Sequence, residues 1–386
     1  MKLLRIIAIL ALAHTVFTGA RVSASLYALA HQASTFTVGV VIALFSLVPA
    51  LIAVRAGRWL DRVGARAPLL AGGTLLAAGA LLPALFPYAV ADIAPLLVGV
   101  VMVGTGSMLT QITVQDWVGR QAAPAERTAA FSWVAMGASV SGLIGPVASG
   151  FLIDAAGHRA TFAGLGTIAL AMLALLAAQW QRLPAADGMQ RHGEARPFFD
   201  LLRHPPVRNV LIVTTLISMS WDLQSFMVPV LGTRVGLSAS QIGLILGSFS
   251  VATLAIRSAM PWLSRTWRPW QVLTFTLFTA ALAFAVMPLF SSMLPLMACA
   301  ALLGLGLGAA QPNVMSLLHE RTPAGRVGEA LGLRTTIMNG SHIVLPLVFG
   351  AAGAVAGAAA VFWIMAALLS GVGFAARRPH FGERLT

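Results

Sequence analysis

The sequence predicts an all-α membrane protein with about twelve transmembrane helices in two pseudo-symmetric six-helix bundles. Three observations predict this fold class: the composition is strongly apolar, apolar stretches of spanning length recur along the chain, and its two halves repeat one another. The 386 residues are 58% hydrophobic and only 10% charged, with a mean hydropathy of +0.86. An average soluble domain has about 25% charged residues. Since a spanning helix needs about 20 apolar residues, the chain has room for roughly twelve.

The apolar stretches end at glycine, proline or charged residues, which set the predicted helix boundaries. The predicted spans are 4–27, 37–57, 68–90, 94–116, 129–151, 160–180, 207–232, 239–258, 270–290, 294–318, 328–350 and 354–376. The opening residues resemble a secretory signal with small residues near Ala13. Apolar character continues from there to about Ala30, so we interpret this segment as the first span and not as a cleaved leader.

One long polar segment, rich in proline and arginine, divides the chain at 181–206. The predicted organisation is an N-terminal six-helix bundle at 1–180, a cytoplasmic linker at 181–206, a C-terminal six-helix bundle at 207–376 and a cytoplasmic tail at 377–386. Within the linker, phenylalanines and leucines beside arginine at 198–203 predict a short interfacial helix.

The basic residues predict the orientation. With the first helix starting in the cytoplasm, 21 of the 25 basic residues fall on the cytoplasmic side, Arg257 at the end of the eighth span among them. The positive-inside rule then places both termini in the cytoplasm of a multi-pass protein, which we expect in a bacterial inner membrane. The net charge of +13 does not indicate nucleic-acid binding, because the arginines recur in small groups instead of forming one basic patch.

An internal repeat relates the two halves. Matching residues recur at nearly constant separations of 200 to 204 positions, as expected for parallel repeats. The matched residues are Gly39 and Phe45 with Gly243 and Phe249, Trp59 with Trp262, Gln111 with Gln311, and Pro146 and Gly150 with Pro346 and Gly350. Prolines, glutamines and tryptophans are less frequent in this chain than alanine, leucine and glycine. Their match at a constant separation therefore indicates a duplication.

The loop after the second span contains a recognisable motif. Residues 57–66 read GRWLDRVGAR, which resembles the signature G-x-x-x-D-R-x-G-R-[RK] of the major facilitator superfamily, with Ala65 replacing the first closing arginine. The resemblance implies the major facilitator fold and secondary transport by alternating access. It also implies that this loop gates the movement of the two halves. The implied gating residues are Gly57, Asp61, Arg62, Gly64 and Arg66.

The fifth span contains a second motif, Gly145, Pro146 and Gly150, similar to the G-P-x-x-G-G antiporter signature of that superfamily, with Ser149 at one closing position. Small residues permit close helix contact and proline permits a kink, so this motif favours a moving interface and export by an efflux-like bacterial member. Plain helix packing is the alternative, because the eleventh span repeats part of the motif. The fourth span lacks the arginine typical of proton-coupled efflux members, which leaves uptake open.

Polar side chains inside the spans indicate the transport path, because such groups are costly in hydrocarbon. His14, Thr18 and Arg21 lie on one face of the first span, and Ser218, Asp222 and Ser225 repeat their spacing 204 residues later. Asp222 is the only carboxylate well inside a predicted span. We therefore predict that Arg21 and Asp222 line the substrate and proton pathway. The alternative is a structural ion pair of Asp222 with Arg21 or another arginine.

Other polar residues in the spans complete the predicted pathway. The further candidates are His14, Thr18, Gln111, Gln311, Asn339, His342 and Arg334. His14 and His342 are candidate protonation switches, because imidazole titrates near neutral pH in water. Each side chain has a plainer alternative: Arg334 could snorkel to the headgroups, and the histidines and glutamines could simply join helices. Trp221 is a candidate for stacking on substrate.

The inventory of motifs argues against an enzyme. Lys2 is the only lysine, so the chain contains no phosphate-binding loop, and it has no zinc-protease, nucleophile-elbow or C-x-x-C motif. We predict a secondary transporter with no cofactor or metal, exporting a small organic solute or drug in exchange for protons. The alternatives are proton-coupled uptake and a non-transporting lipid-handling or receptor-like protein. The expected partners are a small-molecule substrate, protons and membrane lipids, and the expected state is a monomer. Arg21 and Arg334 against Asp222 favour an anionic or zwitterionic cargo.

Overall fold

The computed structural model describes residues 2–86, 93–121, 127–180, 198–263, 265–322 and 327–377. Within these ranges all regular structure is helical, which confirms the predicted fold class. The helices are α1 (Lys2–Ala30), α2 (Thr35–Val63), α3 (Arg66–Leu85), α4 (Ala94–Gln121), α5 (Arg127–Ala178), α6 (Pro205–Arg234), α7 (Ala239–Leu263), α8 (Pro269–Val286), α9 (Met293–Arg321), α10 (Val327–Ala356) and α11 (Ala358–Ala376). Most of the predicted linker and nearly all of the predicted tail lie outside the described residues.

Eleven of the described helices are long and apolar enough to cross a membrane. One of them, α5, has 52 residues and breaks at Gly157, whose φ of 81° and ψ of 172° are not helical. Only glycine adopts such a positive φ without strain. At 1.5 Å per residue, 52 helical residues would extend about 78 Å, more than twice the hydrocarbon thickness. The break therefore divides α5 into the predicted fifth and sixth spans. The segment Phe198–Arg203 forms a short 3-10 helix.

The chain folds as two compact units. The first unit contains Met1–Arg191 and Gly236–Gly247, and the second contains His192–Val235 and Ser248–Thr386. In the first unit, α1 packs along α5, and α3 packs on both α4 and α5. In the second unit, α8 packs on α9 and α11, and α6 packs on α10. The first turns of α7 belong to the first unit and the rest of that helix to the second.

Small residues bring helices into close contact at repeated positions. In the first unit, a Cβ on Gly104 of α4 would lie 2.9 Å from the Cα of Phe45 on α2. In the second unit, a Cβ on Gly304 of α9 would lie 3.0 Å from the carbonyl carbon of Phe249 on α7. Phe45 and Phe249 are matched by the sequence repeat at a separation of 204 residues, and Gly104 and Gly304 match at 200. The duplication therefore preserves a backbone contact as well as a sequence pattern. Close approach of this kind is how helices gain packing energy where lipid offers no hydrophobic driving force.

Gly104→Ala is therefore expected to destabilise the protein. The added methyl group meets backbone that cannot rotate away, and overpacking of this kind costs about 1–3 kcal/mol. Gly371→Ala in α11 is the matched control, since a Cβ there meets nothing within 4 Å. It should be neutral or slightly stabilising, because alanine is the better helix former. Thermal unfolding in detergent measures both, and equal stability of the two variants would contradict the predicted contact.

Candidate functional site

Asp222 lies near the middle of α6, a helix buried on most of its sides. The helix begins at two prolines. Proline suits the first turn, because N–H groups there have no intrahelical partner and proline has no N–H to leave unsatisfied. Asp222 is only 1% exposed, and its Oδ2 lies 2.6 Å from Nδ1 of His342 on α10. An ionised carboxylate can only accept hydrogen bonds, so in that state of Asp222 the donor is His342 Nδ1–H. A short charge-assisted bond of this type is among the strongest that side chains form.

The two members of the pair differ in exposure. The Asp222 side chain is buried, whereas 32% of the His342 side chain is exposed. Since Nδ1 of His342 contacts the carboxylate, Nε2 is the ring nitrogen left for a further hydrogen bond.

The sequence indicated both residues but not their pairing. The sequence analysis offered an ion pair with Arg21 or another arginine only as an alternative for Asp222; within the second unit the structure shows a hydrogen bond to a histidine 120 residues away. The contact depends on the packing of α6 against α10, and no spacing along the chain predicts it. The indications of this pairing in the sequence were limited to a polar face on α10 and an acid inside α6.

Arg257 was missed by the sequence analysis, which placed it among the cytoplasmic residues at the end of the eighth span. The structure corrects this placement: α7 continues to Leu263, and Arg257 lies inside the helix and is half-buried. Its Nη2 donates to Gln311 Oε1 of α9 at 3.4 Å. Its guanidinium carbon lies 5.9 Å from the centre of the Trp221 ring on α6. The sequence contained one indication that Arg257 lies on a polar face of the helix, because Ser250 lies seven residues earlier on the same side.

The first unit contains a related arrangement. The Arg21 guanidinium carbon lies 5.7 Å from the centre of the Phe17 ring, and Phe17 meets Phe45 edge to face at 5.7 Å. His14 lies beside the same ring, at 6.2 Å between centroids. Thr18 points elsewhere, because its hydroxyl donates to carbonyl oxygens of His14 at 2.9 Å and of Ser141 on α5 at 3.2 Å. Thr18, which belongs to the predicted polar face of α1, therefore joins α1 to α5.

The gating motif forms the end of α2 and the turn into α3. Gly64 ends the helix with a φ of 74°, a value that favours glycine, and its N–H donates to the Leu60 carbonyl oxygen at 2.9 Å. Arg62 is exposed, whereas the guanidinium carbon of Arg66 lies 5.9 Å from the centre of the Trp180 ring. A Cβ at Gly57 would meet nothing within 4 Å. The side chain of Asp61 lies outside the described part of the structure.

The glycine–proline motif of α5 supplies close contacts on two sides within the first unit. A Cβ on Gly145 would lie 2.8 Å from the Thr15 carbonyl oxygen of α1. A Cβ on Gly150 would lie 3.0 Å from the Cα of Ser240 in the first turn of α7, and one on Gly243 would lie 2.6 Å from the Pro146 carbonyl oxygen. The motif thus lets α5 contact both helices backbone to backbone.

Asp154, one turn beyond this motif, caps the start of α7. Its two carboxylate oxygens accept from the N–H groups of Ala239 at 3.0 Å and of Ser240 at 2.8 Å. The Ser238 hydroxyl accepts from the following N–H, that of Gln241, at 3.3 Å. The first turn of a helix leaves its N–H groups without intrahelical partners and carries positive partial charge. A carboxylate from α5 therefore fastens α7 at its first turn.

The remaining predicted residues are dispersed. Gln111, Asn339 and Thr335 are exposed, and Arg334 is half-buried. Gln311 contacts Arg257, as described above. Among the described residues, no group of three or more His, Cys, Asp or Glu side chains could hold a metal ion.

A family comparison decides the identity. The family model described as Major Facilitator Superfamily matches residues 6–293 and 210–380. The chain belongs to the major facilitator superfamily. It is therefore a membrane transporter and not an enzyme, as the sequence predicted. A search of curated protein sequences finds no significant match.

Solved transporters share this fold. A peptide transporter POT in complex with sulfate is 15% identical, with a TM-score of 0.79 over 98% of this chain and 94% of its own. A POT family transporter in complex with 5-aminolevulinic acid is 13% identical, with a TM-score of 0.76 over 97% and 95%. A variant of the nucleoside transporter NupG is 12% identical, with a TM-score of 0.74 over 96% and 98%. Identities this low show a common fold and do not transfer a substrate.

Asp154→Ala should loosen the start of α7. Removing a capping carboxylate leaves two N–H groups without their acceptors and costs about 1 kcal/mol. Asp154→Asn is the matched control, because the amide oxygen keeps one acceptor and the loss should be smaller. Hydrogen exchange at the amides of residues 239–241 reads the local effect. Unchanged exchange in Asp154→Ala would contradict the cap.

Proposed function

We propose that this transporter exports a small organic solute in exchange for protons, and that Asp222 and His342 together bind the coupling proton. The observation that carries the proposal is the 2.6 Å contact between a carboxylate that is 1% exposed and a histidine that is 32% exposed. An ionisable residue inside a membrane helix costs free energy to bury and is by default a functional candidate. Here the acid also has an ionisable partner that is more exposed than the acid itself.

The chemistry of the pair balances as follows. With the carboxylate ionised and the imidazole neutral, the pair carries one negative charge. A proton that binds the free ring nitrogen converts the imidazole to imidazolium, and the Nδ1 proton then bonds to Asp222 as half of an ion pair or moves to Oδ2. The pair becomes neutral and is cheaper to keep away from water. Release reverses these steps when the site faces the other side of the membrane.

One observation supports export, and a second indicates the kind of solute. The antiporter-like residues of α5 make close backbone contacts to α1 and to the first turn of α7, as a mobile helix interface needs. Arg21 and Arg257 sit over aromatic rings inside their units, which suits a solute with both charge and apolar surface. We further propose a monomer in a bacterial inner membrane, with both termini cytoplasmic and with lipids as its other partners.

Uptake of solute together with protons is the second candidate function. It is favoured by the absence of arginine from the predicted fourth span, 94–116, where proton-coupled efflux members typically carry one. Both candidates use the same proton site, so the direction in which protons move during transport separates them.

Asp222→Asn should abolish coupled proton movement. The protein is placed in liposomes that hold a pH-sensitive dye, a proton gradient is imposed, and pooled metabolites and drugs are added. Asparagine cannot exchange a proton in this range, so substrate-dependent proton flux should fall at least about tenfold. His342→Gln should slow it by a smaller factor. Glu320→Gln, at an exposed carboxylate beyond the apolar window of α9, is the control and should leave the flux unchanged.

The sign of the dye signal reports the direction of exchange. Protons moving opposite to solute indicate export by antiport, and protons moving with it indicate uptake. Equal proton flux in the wild type and in Asp222→Asn would reduce Asp222 to a structural residue. No gradient-driven movement of any solute would instead favour the non-transporting alternative.

A further inference from the structure

An arginine at the end of α11 lies on two aromatic rings of the second unit. The guanidinium carbon of Arg377 lies 4.5 Å from the centre of the Phe278 ring on α8 and 5.9 Å from that of Phe374 on α11. The two rings meet edge to face with 5.1 Å between their centres. We call these three residues the Arg377 cluster. Among the described residues, the two rings are the groups that this guanidinium contacts.

Contacts between α8 and α11 hold the cluster in place. The indole N–H of Trp270, in the first turn of α8, donates to the Ala376 carbonyl oxygen at 2.9 Å. A Cβ on Gly373 would lie 3.1 Å from Cζ of Phe278, so a glycine at this position lets the ring lie against α11. The rings that carry the guanidinium are therefore positioned by the packing of the two helices.

The cluster lies where hydrocarbon meets the lipid headgroups. Residues 358–376 include no charged side chain, and the exposed apolar face of α11 ends at Phe374, which is 61% exposed. An exposed and uncharged face on a spanning helix contacts lipid tails. Arg377 is exposed and continues this face three residues later. Trp270, which bonds to the end of α11, is of the residue type that concentrates at this boundary.

Snorkelling does not describe the conformation of Arg377. A snorkelling arginine lays its apolar stem along the surface and moves its charged head into water. Here the charged head itself lies on the face of Phe278. Attraction between the cation and the ring holds the guanidinium at the edge of the apolar surface, within reach of the phosphate layer of the membrane.

The repeated architecture does not require the cluster. The residues 200 to 204 positions before Phe278 read TLLAA, those before Phe374 read LAMLA, and those before Arg377 read LALLA. None of these positions holds an arginine or an aromatic residue. The first unit thus forms its corresponding helices without such a cluster, so helix packing alone does not account for it in the second.

The chemistry of the cluster matches an anionic phospholipid. A guanidinium has five N–H donors and no acceptor, and stacking on a ring leaves its N–H groups directed outward at its edge. A phosphodiester supplies oxygen acceptors and a negative charge that fit this edge with paired hydrogen bonds. Basic sites between the ends of spanning helices recognise anionic headgroups in this way. A zwitterionic lipid has the same phosphate but carries its own cation, which competes with the arginine.

We infer that the Arg377 cluster binds the phosphate of an anionic phospholipid, with an acyl chain of that lipid along Phe374 and the exposed face of α11. This inference rests on the membrane location of the chain. It does not depend on the proton site or on the direction of transport. In the orientation that we propose, the lipid belongs to the cytoplasmic leaflet.

The test compares two lipids that have the same acyl chains. The full-length protein in detergent is titrated with dioleoyl phosphatidylglycerol or dioleoyl phosphatidylcholine, and native mass spectrometry gives the dissociation constant of the first lipid bound. Phosphatidylglycerol should bind the wild type at least about fivefold more tightly, the factor expected for one arginine at an anionic surface. Arg377→Gln should remove this preference and leave phosphatidylcholine binding unchanged. Arg265→Gln, at an exposed arginine between α7 and α8, is the matched control and should keep the preference.

A second variant tests the role of the ring. Phe278→Leu keeps the charge and an apolar side chain but removes the aromatic face, so phosphatidylglycerol binding should weaken by about two- to fivefold. Glycerophosphoglycerol, which is the headgroup of that lipid without its chains, should not displace the bound lipid at equal concentration. Displacement would identify a site for a soluble phosphodiester and would overturn the lipid assignment.

Equal binding of the two lipids to the wild type would also overturn the inference, as would equal losses in Arg377→Gln and Arg265→Gln. Thermal unfolding in detergent checks that each variant is folded. Asp222→Asn should keep the preference for phosphatidylglycerol, because the proton site is a different set of atoms. The failure of lipid recognition is therefore distinguishable from the failure of proton coupling.

Discussion

The arrangement of the second unit depends on how it accommodates one carboxylate inside a membrane helix. Asp222 is buried in a region where neither water nor headgroups can solvate it, and an isolated ionised acid there would cost several kcal/mol. His342 lies 2.6 Å away and meets that cost with a partner that can itself gain or lose a proton. Because the imidazole can gain or lose a proton, the charge of the Asp222–His342 pair depends on protonation, which suits the coupling role that we propose.

The fold positions this pair through close helix contacts. Glycines bring backbones together at matched positions of the two units, as at Gly104 with Phe45 and at Gly304 with Phe249. The α5 motif and Asp154 do the same for the first turn of α7. Since lipid tails provide no hydrophobic drive for helix association, such contacts and the few interhelical hydrogen bonds determine which side chains meet. The pairing of α6 with α10, and hence of Asp222 with His342, is one result.

The fold could be predicted from the sequence because hydropathy and the internal repeat are properties of the chain itself. The twelve apolar stretches and the family resemblance both followed from local patterns. Asp222 and His342 could also be singled out from the sequence, since each is polar inside an apolar span. Their pairing could not, because it depends on helices 120 residues apart. Arg257 was placed at a helix end because hydropathy falls at any arginine, and only the structure shows α7 continuing beyond it. Asp154 was missed because its partners are backbone N–H groups of another helix.

The central proposal is that Asp222 and His342 together bind the coupling proton. Infrared difference spectroscopy of the purified protein during a pH titration tests it most directly, because a protonated carboxyl group has its own carbonyl-stretch band. We predict a band that is absent in Asp222→Asn and whose titration midpoint moves when His342 is replaced by glutamine. An Asp222 band with the same midpoint in the wild type and in His342→Gln would contradict the account.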